Sequence, residues 1–284
     1  MEIHKTINGV RQLVRSWKKA NLTVGVVPTM GFLHEGHASL IKRAKAENDR
    51  VVATIFVNPT QFGPNEDLAT YPRDWDHDVS LCEKLGVDSI FNPEPAEMYP
   101  SPFFTEVEVP ELSLELCGAS RPGHFKGVCL VVTKLFHITE PHKAYFGLKD
   151  AQQYFILKRL AADLNLDVTL VPCPIVREPD GLALSSRNSY LNPVERQAAT
   201  VLNKALTAAK EAIDKGERNV KTLLDMIADI VAGEPLAKLD YVQAVETVGL
   251  TPVTRIEGEC LVAAAMWMGK TRLIDNFVYL WRKN

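Results

Sequence analysis

The sequence predicts an α/β protein: a parallel sheet with helices on both faces over residues 1–175, then a smaller C-terminal α+β unit over 176–284. Three observations lead there. The apolar run Val24-Gly25-Val26-Val27 breaks at Pro28-Thr29-Met30-Gly31, and Leu40, Ile41 and Ala44 then return at helical spacing, which reads as strand, turn and helix. Ala144-Tyr145-Phe146-Gly147 repeats the pattern, breaking at glycine into Leu148-Lys149-Asp150 and a helix through Leu164. Between them, Val51 to Val57 is apolar without alternation, as in a parallel strand covered on both faces.

The remaining elements follow in order. Ile7, Val10, Leu13, Val14 and Trp17 recur at helical spacing and place a helix ahead of the first apolar strand. Val51–Val57 ends in the rigid loop Asn58-Pro59-Thr60-Gln61-Phe62-Gly63-Pro64, and Tyr71-Pro72-Arg73-Asp74 starts a helix. Val87–Phe91 is a further strand. The proline-rich stretch from Asn92 to Pro110 reads as an irregular connection with a short strand around Phe104–Val109. A loop carrying Arg121, His124 and Lys126 precedes a helix over Val128–Thr139, and Leu166–Val171 is the last strand of the first unit. Pro172-Cys173-Pro174 marks the boundary. Beyond it come a mobile loop to Asn188, a helix from near Pro193 and two amphipathic helices marked by Val201 to Ile213 and Leu223 to Val231. Strand-like runs Asp240–Glu246, Cys260–Trp267 and Thr271–Tyr279 complete a unit expected to act as a lid.

Composition narrows the function. Apolar residues make up 46% and charged residues 24%, an ordinary globular profile, and a formal net charge of −3 argues against a nucleic-acid surface as the main partner. Five scattered cysteines (82, 117, 129, 173 and 260) form neither a disulfide framework nor a Cys-x-x-Cys site. The N-terminus lacks the build of a signal peptide, and no apolar run approaches the roughly 20 residues that span a bilayer. The expectation is a cytoplasmic protein with no membrane partner.

The chemistry gathers at strand ends. His34 and His37 stand three residues apart at a helix mouth, where free N–H groups and the helix dipole favour anions. Two neutral imidazoles there can donate to phosphate oxygens; the metalloprotease pattern needs histidines four apart. The plain alternative is a helix cap beside a solvated ring. Gln61 offers an amide suited to a hydroxy acid, Lys149 lies where phosphates would lie on the second turn, and Ser185, Ser186 and Arg187 can grip a triphosphate. Water-satisfied loop residues, and a serine cap before the Pro193 helix, are the corresponding structural readings. Asp74, Asp76 and Asp78 in a first helical turn are favoured by the dipole alone, by about 0.3 to 1 kcal/mol.

Taken together, Pro28-Thr29-Met30-Gly31-x-Leu33-His34-x-Gly36-His37, Val57-Asn58-Pro59-Thr60-Gln61-Phe62, Tyr71-Pro72-Arg73, Arg121-Pro122-Gly123-His124-Phe125, Phe146-Gly147-x-Lys149-Asp150-x-Gln152-Gln153, Asp180-Gly181-Leu182-Ala183-x-Ser185-Ser186-Arg187-Asn188 and Arg272-Leu273-Ile274-Asp275-Asn276 resemble the pantothenate synthetase family, in order and over nearly the whole chain. The resemblance implies a Rossmann-like domain of the nucleotidylyltransferase superfamily with a smaller C-terminal domain, and an ATP-dependent ligase joining (R)-pantoate to β-alanine through a pantoyl-adenylate. It also implies Mg2+ and a cytosolic homodimer. By motif position, Met30, Gly31, Phe32, Leu33, His34, Glu35, Gly36 and His37 would contact ATP, with His37 the proton donor. Gly147, Leu148, Lys149, Asp150, Val176, Leu184, Ser185, Ser186 and Arg187 would complete the ATP site. Gln61 would bind pantoate and also β-alanine as it enters, Gln153 would bind pantoate, and Asp78 is the position to watch for magnesium. Where the family usually has an acidic residue this chain has Leu148, and Pro179 is unusual for its loop. Two other readings stay open: a nucleotidyl transferase of the same superfamily that keeps AMP in its product, and a nucleotide sensor without turnover.

Overall fold

The computed structural model describes residues 1–64 and 66–280; the last four residues of the expected C-terminal unit lie outside them. The first sheet has six parallel strands, β1 (Glu2–His4), β2 (Val24–Thr29), β3 (Arg50–Ile55), β4 (Ser89–Phe91), β5 (Lys143–Gly147) and β6 (Thr169–Cys173), in the order β1-β4-β3-β2-β5-β6. β2 and β3 are buried along almost their whole length, which is why their sequences run apolar without alternation. Helices α1 (Ile7–Lys19), α6 (His124–Thr139) and α7 (Ala151–Asp163) share one core with the sheet, while α2 (Glu35–Glu47) and α3 (Trp75–Lys84) lie over a second. Short helices α4 (Pro95–Met98) and α5 (Cys117–Ser120) interrupt the connection between β4 and α6.

The chain leaves β2 for β3 on one side and returns to β5 on the other, so the crevice between the carboxyl ends of β2 and β5 is the switch point at which open α/β sheets bind ligands. Met30–His37 and Leu148–Asp150 both emerge there.

After β6 come α8 (Pro193–Ala198), α9 (Val201–Asp214) and α10 (Val220–Ala232), then an antiparallel sheet of β7 (Ala237–Glu246), β8 (Cys260–Met268) and β9 (Thr271–Tyr279). Alternate residues of β8 serve different cores. Cys260, Val262, Ala264, Met266 and Met268 pack with α9 and α10, whereas Leu261 and Ala263 join the core of the first sheet. The smaller unit is thus seated on the larger by apolar side chains.

Other expectations shift. Phe104–Val109 forms no strand: Val107 and Val109 pack against the main core, Phe104 is exposed, and proline stands at both flanks where a ladder needs N–H donors. β6 runs on through Pro172 and Cys173, residues read as the boundary; an edge strand tolerates the missing proline donor. β1, too short to show a period, is absent from the sequence reading.

Candidate active site

β2 ends in a turn that its neighbours hold tightly. Thr29 Oγ1 donates to the Thr54 carbonyl at 2.6 Å and accepts the Gly31 N–H at 3.2 Å. Gly31 and Phe32 both take positive φ, +84° and +50°, so two successive N–H groups point the same way and form a small anion nest. Asp78 of α3 fills it: its carboxylate accepts the N–H of Phe32 at 2.8 Å and of Leu33 at 2.6 Å, and the residue is 2% exposed. At the expected magnesium position, then, both carboxylate oxygens are turned onto the backbone. Asp78→Asn, which leaves one oxygen for two donors, is expected to lower unfolding free energy by about 1–3 kcal/mol in a urea titration. Unchanged stability with an altered magnesium requirement would return Asp78 to the metal.

His34 caps α2. Its Nδ1 accepts the Gly36 N–H at 3.1 Å, and His37 Nδ1 accepts the His34 N–H at 3.3 Å. A Cβ on Gly36 would lie 2.7 Å from the His34 ring, so glycine is what lets the cap close. The cap and the anion-binding readings are therefore compatible. With both Nδ1 atoms acting as acceptors, each neutral ring carries its proton on Nε2, leaving two N–H donors for the cleft. Burial first, and then the Lys149 charge, lowers the His34 pKa to about 4; burial and the neighbouring His34 lower that of His37 to about 3.

The sign follows from the unfolded value near 6.5. As pH falls from there toward 4, the unfolded chain takes up protons that the folded rings refuse, so these histidines cost stability across that window. An NMR titration should place the ring midpoints near 4 and 3, and saturating ATP should move them upward by supplying negative charge.

Gln61 faces the same cleft from the short turn Pro59–Gln61. Its Oε1 accepts from Asn58 Nδ2 at 3.2 Å, and its Nε2 lies 3.1 Å from Met30 Sδ. Asn58, 1% exposed, also donates to the Gly127 carbonyl at 3.2 Å and accepts the Tyr99 hydroxyl at 2.8 Å. A Cβ on Gly127 would meet the Thr60 carbonyl oxygen at 2.2 Å, so only glycine lets α6 carry this turn so closely. His124 Nδ1 lies 2.8 Å from the Gln61 carbonyl, which makes it the donor and leaves Nε2 to accept from Arg121 at 3.0 Å. Burial and the Arg121 charge hold His124 at about 4. Gln153, in the first turn of α7, lines the cleft beside them.

Lys149 and Asp150 close the floor, with Lys149 Nζ 3.3 Å from Asp150 Oδ1. Burial acts to raise the Asp150 carboxyl, but Lys149, Arg187 and His124 outweigh it and hold the pKa below the ordinary value. The loop expected to be mobile is held here by contacts within its own turn. Arg177 pairs with Ala183, Leu184 N–H donates to the Val176 carbonyl at 3.0 Å, and Pro179 sits second in a turn closed by Gly181 N–H to the Glu178 carbonyl at 2.9 Å. Ser185 then caps a 3-10 turn over Ser186–Tyr190, its hydroxyl accepting the Arg187 N–H at 3.2 Å. Arg187 is held in a fork by Asp67, at 3.0 and 2.8 Å, and Arg121 is paired in the same way with Glu66.

A cavity of about 230 Å³ collects Met30, His34, Gly36, His37, Gln61, Gly147, Lys149, Asp150, Gln153, Val176, Leu184, Ser185, Ser186 and Arg187. Lys149, Asp150, Gln153, Ser185 and Arg187 also line a wider space of about 760 Å³ that reaches the small sheet. Gly31, Phe32, Leu33, Glu35 and Leu148 do not line the smaller cavity: Leu33 is core, Glu35 is exposed toward Lys42, and Leu148 packs on the main core. Sequence reasoning gave no role to Asn58, Asp67 or Asp275, although Asn58 and Asp275 stand inside quoted motifs.

A family model described as pantoate-beta-alanine ligase matches residues 2–278. The chain belongs to this family. It is 54% identical over 279 residues to a pantothenate synthetase of Clostridium botulinum, covering 98% of this chain and 99% of the relative, and 55% identical over the same shares to one of Clostridium acetobutylicum. A pantothenate synthetase from Thermus thermophilus superposes with a TM-score of 0.91 at 43% identity, covering 98% of this chain and 99% of that one. A Francisella tularensis pantoate-beta-alanine ligase, complexed with beta-gamma ATP and beta-alanine, does so with 0.79 at 38% identity, over 98% and 97% of the two chains.

Proposed function

We propose that this protein is the ATP-dependent ligase that condenses (R)-pantoate with β-alanine to pantothenate, AMP and pyrophosphate through a pantoyl-adenylate. The observation that carries the reading is the convergence of two neutral imidazole Nε2–H donors and Lys149 on one side of a cleft, with the amides of Gln61 and Gln153 also on its wall. The full-length similarity to pantothenate synthetases supports it.

In the first step the pantoate carboxylate attacks the α-phosphate and pyrophosphate departs. Negative charge approaches negative charge, so the site must neutralise phosphate oxygens and align the reactants; no covalent nucleophile is needed. His34 and His37 donate hydrogen bonds from Nε2 to phosphate oxygens, and these strengthen as negative charge gathers on the departing pyrophosphate, with each ring keeping its proton. Lys149 supplies fixed positive charge. Arg187 joins once phosphate replaces Asp67 on its guanidinium, with Ser185 and Ser186 beside it. Gln61 and Gln153 hold the pantoate hydroxyls and carboxylate. In the second step the uncharged β-alanine amine attacks the acyl carbon and AMP leaves.

Among the described residues no three His, Cys, Asp or Glu converge as a metal cage. That suits Mg2+ carried on the triphosphate, which keeps its waters and needs one or two protein carboxylates. Asp150 would hold it, since Asp78 is turned onto the backbone and Glu66 and Asp67 onto arginines. The ion would offset phosphate charge. No described helix is long and apolar enough to cross a membrane, and five buried free cysteines suit a reducing cytoplasm. A homodimer, as the family resemblance implies, is checked by light scattering.

The test is incubation with ATP, magnesium and pantoate without β-alanine. Mass spectrometry should find enzyme-held pantoyl-adenylate and pyrophosphate, with AMP released only after β-alanine is added. AMP release at an equal rate without β-alanine would overturn the reading, and AMP retained in the product would select nucleotidyl transfer.

A further inference from the structure

We propose that Asn276 is a positioning residue for the nucleotide: its amide, reaching across from the last strand of the small sheet, sets the turn that presents Lys149. The assignment rests on the reading of Lys149 as a phosphate ligand. Asn276 lies on β9 opposite Ala263, on the sheet face turned to the larger unit, and is 4% exposed. Its Nδ2 donates to two consecutive carbonyls, Leu148 O and Lys149 O, both at 2.9 Å. Its Oδ1 has no partner among the described residues. A buried amide with an idle acceptor and a doubly used donor is kept for its N–H groups.

The turn it grips is otherwise held by the packing of Leu148 on the main core and by its run into α7, neither of which fixes the Leu148 and Lys149 carbonyls. Leu148–Asp150 is one 3-10 turn with no side-chain cap, entered through Gly147, which has open space around its Cα. Swinging that turn redirects Lys149 and its backbone together. Asp275, the preceding residue, holds the other wall: it accepts from Arg177 Nη1 at 2.6 Å and Nη2 at 2.9 Å, and Arg177 in turn donates to the Gly181 carbonyl at 3.1 Å. It also accepts the Asn276 N–H at 2.8 Å. One pair of residues on the small sheet therefore spans both segments that face the nucleotide, which gives the Asp275-Asn276 motif a task.

Asn276→Ala is compared with the unaltered protein for ATP affinity by calorimetry, for pantoate KM and kcat in steady state, and for Tm. The expected result is ATP binding weakened fivefold or more, with pantoate KM within twofold. ATP affinity within twofold, or equal weakening toward both substrates, overturns the proposal, because a general loosening of the cleft would not single out the nucleotide. If Asn276→Ala does not fold, Asn276→Asp keeps the volume but opposes a carboxylate to the two carbonyls, and is read the same way. Failure of both to fold also overturns it, the bond then belonging to the fold. If the unaltered protein takes up no ATP, the reading of function has failed and this assignment with it; if it binds ATP and the variant binds equally well, only this assignment has.

Discussion

His37→Ala should lower pantoyl-adenylate formation by 10²-fold or more, about 3 kcal/mol of transition-state stabilisation, while the far-UV circular dichroism stays that of the unaltered protein. Two separate losses underlie this number. The cap on the His34 N–H disappears, which costs stability of about 0.5–2 kcal/mol. The larger loss is chemical: His37 Nδ1 is committed to that N–H, so the ring has a single exchangeable proton, on Nε2, directed away from the backbone contact. Rapid-quench measurement of the first turnover separates the two, since a capping defect alone lowers Tm and leaves the rate within threefold. A rate in that range would remove His37 from the chemistry.

Lys149→Ala should cost about 10²–10³-fold in the same step, comparable to deleting a donor from an oxyanion hole. Arg187→Ala should cost less at first sight, because Arg187 begins its cycle paired with Asp67 and part of its attraction for phosphate is spent on breaking that pair. Among the described residues Lys149 has only the neighbouring Asp150 carboxylate, at 3.3 Å. Loss of Lys149 also removes the charge that depresses Asp150, whose carboxyl pKa should rise once burial acts without its strongest opponent. A shift of the acid limb of the pH–rate profile upward in Lys149→Ala would accompany the loss of rate; an unaltered rate would exclude Lys149 from phosphate binding.

The legible parts of the molecule were those where one short stretch of chain decides the matter. Val24 to Ala44 announces a strand, a turn and a helix because burial period, proline, glycine and capping all act within twenty residues. Phe104–Val109 misleads for the same reason: its alternation is local, whereas a strand needs a partner edge, and the prolines around it leave none. The site divides likewise. His34, His37, Gln61 and Lys149 are visible because their chemistry is carried by their own turns. Asp78, Asp67 and Asp275 act across separations of 45 to 120 residues, on the N–H groups of Phe32 and Leu33, on Arg187 and on Arg177, and no periodicity records such pairings. Their acidic character was readable, but which positive group each would meet was not.

The double burial of β8 has a mechanical consequence. A wide swing of the C-terminal unit would bring Leu261 and Ala263 into water, so the economical motion is a slide along that seam of the kind seen between packed layers. Water exclusion during adenylate formation then falls to the turns around Asp67 and Arg187, and small-angle scattering with and without nucleotide should differ little.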